Sequence, residues 1–190
     1  MTALAAPVRP DPAFLREVEG RLGKTISPCF HCSKCSSGCP VTFAMDVLPN
    51  RAVRMVQMGL RDQLLASSTI WLCASCETCT TRCPNDVDIA ALMDVLRQMS
   101  QRQGVTPAEP SVPAFHRAFL ASVRRWGRVF EAGMLAGYAL KSGKGKGVLK
   151  DAGLGWQLFK RGKLRLWPTW VRQRLQIRTI FRRARSGDGA

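Results

Sequence analysis

The sequence lacks any apolar run long enough to cross a membrane, which takes roughly 18 uninterrupted residues. Its most apolar stretch, residues 129–140, is twelve residues long and contains Glu131. The first twenty residues also lack a basic start followed by an apolar segment, so they do not resemble a secretory signal. We therefore expect a soluble cytoplasmic protein, whose cysteines stay reduced and are available to bind metal.

Motifs for independent catalysis are also missing. The chain has no phosphate-binding glycine loop, no flavin-binding glycine run, no carboxylate pair and no nucleophile triad. Its two histidines are His31 and His116. His31 lies between cysteines, but the cysteine pattern is complete without it, so we expect it outside the ligand set. We predict no catalytic residue in this chain.

The sequence does contain eight cysteines, in two copies of the pattern C-x2-C-x2-C-x3-C-P that begin 44 residues apart. Residues 29–40 read CFHCSKCSSGCP, and residues 73–84 read CASCETCTTRCP. A structural zinc site pairs two separate C-x2-C elements, so it leaves the uniform spacing and the repeated proline unexplained. Disulfides conflict with the absent export signal, and a redox dithiol needs only one C-x2-C pair.

This repeated pattern is the ligand signature of bacterial-type [4Fe–4S] clusters. Three closely spaced cysteines can each bind a different iron of a cubane, and the fourth iron takes its thiolate from the other copy of the motif. The sequence therefore predicts two [4Fe–4S] clusters. The expected ligands are Cys29, Cys32, Cys35 and Cys83 for the first cluster, and Cys73, Cys76, Cys79 and Cys39 for the second.

The 33 residues between Cys39 and Cys73 have a helical pattern. Asp46 is the expected cap of the first helix, Pro49 belongs in its first turn, and Gly59 is its expected end. Two short helices are expected at about residues 62–66 and 68–72.

After the second motif, Asp86 or Asp88 is expected to cap a further helix. The apolar residues of this helix that share one face are Ile89, Leu92, Leu96 and Met99. No segment has the alternating, β-branched pattern of a strand. We predict an all-α, helical ferredoxin-like domain over residues 25–104, preceded by an N-terminal extension at residues 1–24.

A proline-rich linker is expected at residues 105–113, followed by a basic, aromatic-containing helical arm at residues 114–190. Residues 1–104 contain 11 Lys+Arg and 9 Asp+Glu, a net charge of +2, whereas residues 105–190 contain 18 and 4, a net charge of +14. Within the arm, residues 141–147 (KSGKGKG) are expected to form a flexible loop. The aromatic and apolar residues expected along one side of its first helix are Phe115, Phe119, Val123, Trp126 and Phe130.

The basic arm is open to three interpretations. It can be a solvated surface that keeps the protein soluble, or a nucleic-acid contact in which aromatic rings stack on bases beside phosphates. It can also dock onto acidic partner subunits, with aromatic side chains buried in the interface. We favour docking and expect no nucleic-acid partner. Peripheral contact with anionic lipid is a weaker alternative.

Three segments carry a resemblance to a known family. They are FHCSKCSSGCPVTFAMDVLPNRAVRMVQMGL, WLCASCETCTTRCPNDVDIAALMDVLR and the later RVFEAGMLAG. Together they resemble the C subunit of heterodisulfide reductase and its bacterial relatives. The resemblance is close over residues 25–103 and looser over residues 113 to about 170.

The resemblance implies an electron-transfer subunit with two [4Fe–4S] clusters. Such a subunit passes electrons between a flavin-containing A subunit and a catalytic B subunit, in disulfide reduction or in sulfur oxidation. The eight cysteines carry over position by position, but no catalytic residue does. The chain has no adjacent pair of cysteines, so it lacks the catalytic motif of the B subunit. Iron–sulfur subunits of glycolate oxidase or fumarate reductase share the cysteine motifs and are the alternative.

Overall fold

The computed structural model describes residues 10–142, 152–162, 167–169 and 171–187, and all of the regular structure in these ranges is helical. The chain divides into two compact units, Met1–Pro110 and Ser111–Ala190. The all-α prediction is confirmed. No described helix combines the length and apolar character needed to span a membrane.

The amino-terminal unit is built from helices of very different lengths. They are α1 (Ala13–Leu22), α2 (Lys34–Ser37), a 3-10 turn (Thr42–Ala44), α3 (Pro49–Gln57), α4 (Arg61–Leu65), α5 (Thr69–Leu72), α6 (Thr78–Thr81) and α7 (Ile89–Arg102). Helices α2 and α6 each close the run of three closely spaced cysteines in one motif, and they pack against each other. The two cysteine motifs therefore lie side by side in this unit.

Helix α7 forms one wall of the core and begins as its sequence predicts. The Asp88 carboxylate accepts a hydrogen bond from the Ala91 N–H at 3.1 Å, so Asp88, not Asp86, is the N-cap. The four apolar residues predicted to share a face, Ile89, Leu92, Leu96 and Met99, are all at most 2% exposed. Helix α7 packs against α1, α4, α5 and α6.

Helix α1 belongs to the same core, although it lies in the segment that the sequence marks as an N-terminal extension. Its Phe14 and Val18 are fully buried, and the helix packs against α3 and α7. The Arg61 guanidinium donates to Asp11 Oδ2 at 2.7 Å and to Glu17, and it lies 4.8 Å from the centre of the Phe14 ring. This ion pair and the cation–π contact fix α1 against the start of α4.

One capping prediction is wrong. Helix α3 begins with Pro49 in its first turn, as expected, but its N-cap is Leu48 and it has no side-chain cap. Asp46 instead accepts hydrogen bonds from the Ser68 N–H at 2.8 Å and the Thr69 N–H at 3.0 Å, at the start of α5. The carboxylate therefore caps a helix distant in sequence and not the one that follows it.

The carboxy-terminal unit comprises α8 (Ser111–Trp126), α9 (Glu131–Ser142), α10 (Ala152–Lys160) and α11 (Arg174–Gly187). Helix α8 starts inside the segment predicted as a linker, and it packs against α9 and α11. The Ser122 hydroxyl accepts from the Phe130 N–H at 2.9 Å. Lys141 and Ser142 end α9, and the rest of the predicted loop at residues 141–147 lies outside the described residues.

Candidate iron–sulfur sites

The three closely spaced cysteines of each motif lie on loops with the same backbone conformation. We refer to residues 29–35 as the first loop and residues 73–79 as the second loop. Each contains two non-glycine residues with positive φ, namely His31 (61°) and Ser33 (63°) in the first, and Ser75 (49°) and Glu77 (59°) in the second. Both pairs are offset by 44 residues, so the sequence repeat is also a structural repeat.

The left-handed residues explain how such short loops surround a cofactor. Side chains other than glycine rarely adopt positive φ, and each such residue costs roughly 1–3 kcal/mol, so these residues concentrate where a ligand is held. Alternating left- and right-handed residues direct successive backbone N–H groups to one side, forming an anion-binding concavity of the kind found at iron–sulfur sites. A short helix then closes each loop. Ser37 Oγ donates to the Ser33 carbonyl and Thr81 Oγ1 to the Glu77 carbonyl, each at 3.0 Å.

The predicted ligands of the second cluster surround one cavity. Cys73, Cys76 and Cys79 of the second loop line it together with Cys39 of the other motif. The remaining lining is largely apolar: Val41, Met45, Pro49, Ala74, Ile89, Ala90 and Met93. Four thiols from both motifs in a largely apolar cavity match the donor set of a [4Fe–4S] cluster.

The first loop has a corresponding neighbour from the second motif. Cys83 accepts at Sγ from the Val87 N–H at 3.3 Å, and Asn85, two residues further on, donates to the carbonyl of Pro28. Pro28 directly precedes Cys29, so the segment that carries Cys83 lies beside the start of the first loop. This is the approach that the predicted first ligand set requires.

The thiols of the predicted ligands differ in how readily they ionise. Burial raises the pKa of Cys79 to about 11 and also raises the pKa values of Cys73 and Cys35. A hydrogen bond with Thr78 lowers the pKa of the exposed Cys76. Buried thiols with raised pKa values are protonated at neutral pH, so metal binding must displace their protons.

The spacing of the cysteine side chains bears on the kind of metal site that they can form. In the described ranges, no three His, Cys, Asp or Glu side chains converge closely enough to hold a single metal ion. A cubane needs another arrangement, because each of its four irons takes its own thiolate.

Polar side chains outside the motifs hold the first loop in place. Ser36 Oγ donates to Asn50 Oδ1 at 2.7 Å, and Asn50 Nδ2 donates to Ser33 Oγ at 3.1 Å. His31 Nε2 lies 2.9 Å from Gln57 Oε1, so this histidine has a partner on α3. Sequence reasoning missed Asn50 and Gln57, since nothing in the helical pattern of α3 separates them from exposed polar residues.

The Glu19 carboxylate accepts hydrogen bonds from the residues that precede the first loop. Glu19 Oε1 accepts from the Ile26 N–H at 2.8 Å and the Ser27 N–H at 3.1 Å, and from the Thr25 hydroxyl at 2.9 Å. Partial burial opposes ionisation of Glu19, but these hydrogen bonds outweigh it and lower the pKa of the carboxyl. Glu19 thus fixes the turn that leads into Cys29.

The approach to the second loop is anchored by Arg97. Its Nε donates to the Ile70 carbonyl at 2.9 Å, and its Nη2 donates to the Cys73 carbonyl at 3.1 Å. Trp71 is 3% exposed, and its indole N–H has no hydrogen-bond partner among the described residues. A buried donor without a protein partner is unusual, and Trp71 lies two residues before Cys73, a predicted ligand.

Comparison with known proteins agrees with this interpretation of the cysteines. Residues 25–87 match the family described as "4Fe-4S dicluster domain". The chain is 27% identical over 106 residues to the C subunit of the H(2):CoB-CoM heterodisulfide,ferredoxin reductase of Methanothermobacter marburgensis, a match that covers 55% of this chain and 57% of the relative. It is 32% identical over 109 residues to the second iron–sulfur C subunit of the CoB--CoM heterodisulfide reductase of Methanocaldococcus jannaschii, covering 57% of this chain and 55% of the relative.

A third relative matches over a shorter range. This is the C subunit of the ferredoxin:CoB-CoM heterodisulfide reductase of Methanosarcina acetivorans, which is 34% identical over 77 residues, or 40% of this chain and 31% of the relative. The chain thus spans a little over half the length of the first two relatives and about a third of this one. The matches explain why the two loops repeat, because a dicluster domain needs two sets of ligands.

Proposed function

We propose that this chain is the electron-transfer subunit of a heterodisulfide-reductase-like complex, because its cysteine motifs match a 4Fe–4S dicluster domain and its relatives are heterodisulfide reductase C subunits. It relays single electrons through two [4Fe–4S] clusters between a flavin-containing A subunit and a catalytic thiol/disulfide B subunit, in the cytoplasm. The complex works in disulfide reduction or in sulfur oxidation. The chain itself supplies no catalytic residue.

The observation that carries the proposal is the cavity shared by Cys39 and the second loop. It supports Cys73, Cys76, Cys79 and Cys39 as the ligands of one cluster. By the same exchange, Cys29, Cys32, Cys35 and Cys83 are the ligands of the other. When bound, such a cluster accepts and releases one electron at a time.

The protein contributes to this relay by binding the irons, stabilising the negative charge of the clusters and excluding water from them. Thiolates bind the irons, and the N–H groups of the left-handed loops face the negative charge of the site. Apolar side chains such as Val41, Ile89 and Met93 exclude water from the second site. Because each site takes one thiolate from the other motif, the two sites lie close together, as electron hopping between them requires.

The carboxy-terminal unit completes the proposal as the part that docks on the partner subunits. The +14 charge of residues 105–190 complements acidic surfaces, and the unit exposes large side chains such as Trp156 (59%) and Trp167 (83%). Exposed aromatic residues among cations are typical of protein interfaces. An iron–sulfur subunit of another flavin oxidoreductase would share the clusters, and the identity of co-purifying subunits separates the two.

The test begins with anaerobic purification of the full chain and analysis of iron and acid-labile sulfide. Two cubanes require about eight irons and about eight sulfides per chain, with magnetically interacting clusters in the EPR spectrum of the reduced protein. About two zinc ions and no sulfide would overturn the electron-transfer function.

A pair of matched variants then tests the exchanged ligands. Cys83→Ser is expected to damage the cluster of the first loop, and Cys39→Ser that of the second, with about four irons left in each case. Site-resolved spectroscopy that finds each variant damaging the cluster of its own motif would contradict the exchange and leave the two-cluster count intact.

A further inference from the structure

We infer that the two loops set their clusters at different midpoint potentials, with the second-loop site the more reducing, because the first loop carries Lys34 and the second carries Glu77. The inference rests on the proposed function, since it requires both clusters. It goes beyond that function by assigning an order to the two sites and residues that create the order.

The structural repeat makes the two loops directly comparable. Their positive-φ residues, short closing helices and hydroxyl-to-carbonyl bonds all recur at an offset of 44 residues. Because the backbone conformation repeats, we expect the backbone amides to contribute similarly to the two potentials. A difference between the sites then comes from the side chains around them.

The charged side chains within the loops have opposite signs. Lys34, between Cys32 and Cys35, is exposed, and its equivalent in the second loop is the neutral Thr78. Glu77, between Cys76 and Cys79, is exposed, and its equivalent in the first loop is the neutral Ser33. Each site gains one negative charge on reduction, so a nearby cation favours the reduced state and a nearby anion disfavours it.

The other charged side chains near the loops are paired or border both motifs. Arg97, which donates to the Cys73 carbonyl, pairs with Asp94 at 2.9 Å, and Lys24 pairs with Asp88 at 3.0 Å. Arg82 precedes Cys83, and its guanidinium lies against Gly38, which precedes Cys39. Arg82 therefore borders Cys39 and Cys83, one predicted ligand of each site, and we expect it to act on both potentials.

The order of the two midpoint potentials determines which site is reduced first. One electron taken from a one-electron donor such as a reduced flavin would favour the first-loop site, whose potential is the higher. A second electron is needed to reduce the second-loop site. A donor that contacts the second loop therefore supplies electrons that move downhill toward the first.

The test is an EPR-monitored redox titration of the anaerobically purified full chain, with two swaps that give each loop the residue of the other. Glu77→Ser is expected to raise only the lower midpoint potential, and Lys34→Thr to lower only the higher one. Both shifts should shrink at high ionic strength, because the side chains are exposed. Glu77→Gln and Lys34→Gln repeat the charge changes with side chains of similar length.

Two variants control for charge changes elsewhere in the same unit. Asp62→Asn and Arg16→Gln remove exposed charges on α4 and α1 and are expected to move neither potential. Coincident midpoints in the natural chain, or a Glu77→Ser shift of the higher potential, would overturn the inference while leaving the relay intact. Absence of a second cluster would overturn the proposed function itself, and iron analysis of each sample separates these outcomes.

Discussion

The two units of this chain reach a folded state by different means. In the amino-terminal unit, apolar side chains from Phe14 to Met99 form a closed core, and many of them have no exposed surface. In the described part of the carboxy-terminal unit, only Pro113 and Ser122 are buried. One unit is organised around its own interior and its cysteine sites, whereas the other keeps much of its apolar surface exposed.

The two units also differ in the balance of their charged side chains. The amino-terminal unit pairs its charges internally, as in the contacts of Arg61 with Asp11 and Glu17. The sequence from residue 111 onward contains only three acidic residues, Glu131, Asp151 and Asp188, against 18 Lys and Arg. So large an excess of one sign repels itself and favours contact with an acidic surface. The comparison predicts that the proposed cluster sites and the proposed docking surface can be altered separately.

Removing the carboxy-terminal unit is the most severe test of whether the two units can be altered separately. A protein ending at Pro110 is expected to keep about eight irons per chain, since all eight cysteines and the core lie within it. It should lose most of its binding to the partner subunits, measured by co-purification at low and high salt. A truncated protein that loses its iron would show that the carboxy-terminal unit supports the sites.

Matched truncations of apolar side chains test the difference in packing. Leu96→Ala removes a fully buried side chain from α7 and is expected to cost about 2–5 kcal/mol of unfolding free energy. Phe119→Ala removes a side chain that is already 39% exposed, so the expected cost is about 1 kcal/mol. Hydrogen exchange measured separately over the two units would report each effect, and equal costs would contradict the comparison.

These differences were only partly readable from the sequence. The cysteine spacing, the apolar face of α7 and the Asp88 cap follow local rules, because each depends on residues close together in the chain. The Asp46 cap was wrong because its partners, Ser68 and Thr69, lie more than twenty residues away. The left-handed conformations of His31 and Glu77 had no sequence signal either, since neither residue is glycine.

Two glycine substitutions are expected to act with opposite signs in the two units. Gly59 has φ of 71°, and an added Cβ would lie 2.4 Å from the Asp11 carbonyl oxygen, so Gly59→Ala is expected to cost roughly 1–3 kcal/mol. Gly137 lies within α9 with no atom within 4 Å of an added Cβ. There, Gly137→Ala is expected to stabilise by about 0.5–1 kcal/mol.

Thermal unfolding followed by hydrogen exchange would assign each change to its unit. Gly104→Ala is the matched control, because Gly104 also has positive φ (66°) but open space around an added Cβ. It isolates backbone strain from the clash with Asp11. If Gly59→Ala lowers the free energy of unfolding no more than Gly104→Ala does, the clash with Asp11 contributes nothing to the cost of the substitution.

The smallest expected effect is on the stability of the protein at acidic pH. Desolvation opposes ionisation of Asp46, but hydrogen bonds from Ser68 and Thr69 outweigh it and lower the pKa of the carboxyl. A carboxyl whose folded pKa lies below its unfolded value stabilises the fold above the unfolded value, and this stabilisation is lost as pH falls through the folded value. Because Asp46 is exposed and solvent screens its charge, Asp46→Asn should cost less than about 1 kcal/mol at neutral pH and flatten the decline of stability toward about pH 4. The same substitution at the exposed Asp62 is the control, and parallel pH profiles for all three proteins would mean that the Asp46 contacts carry no charge-dependent stability.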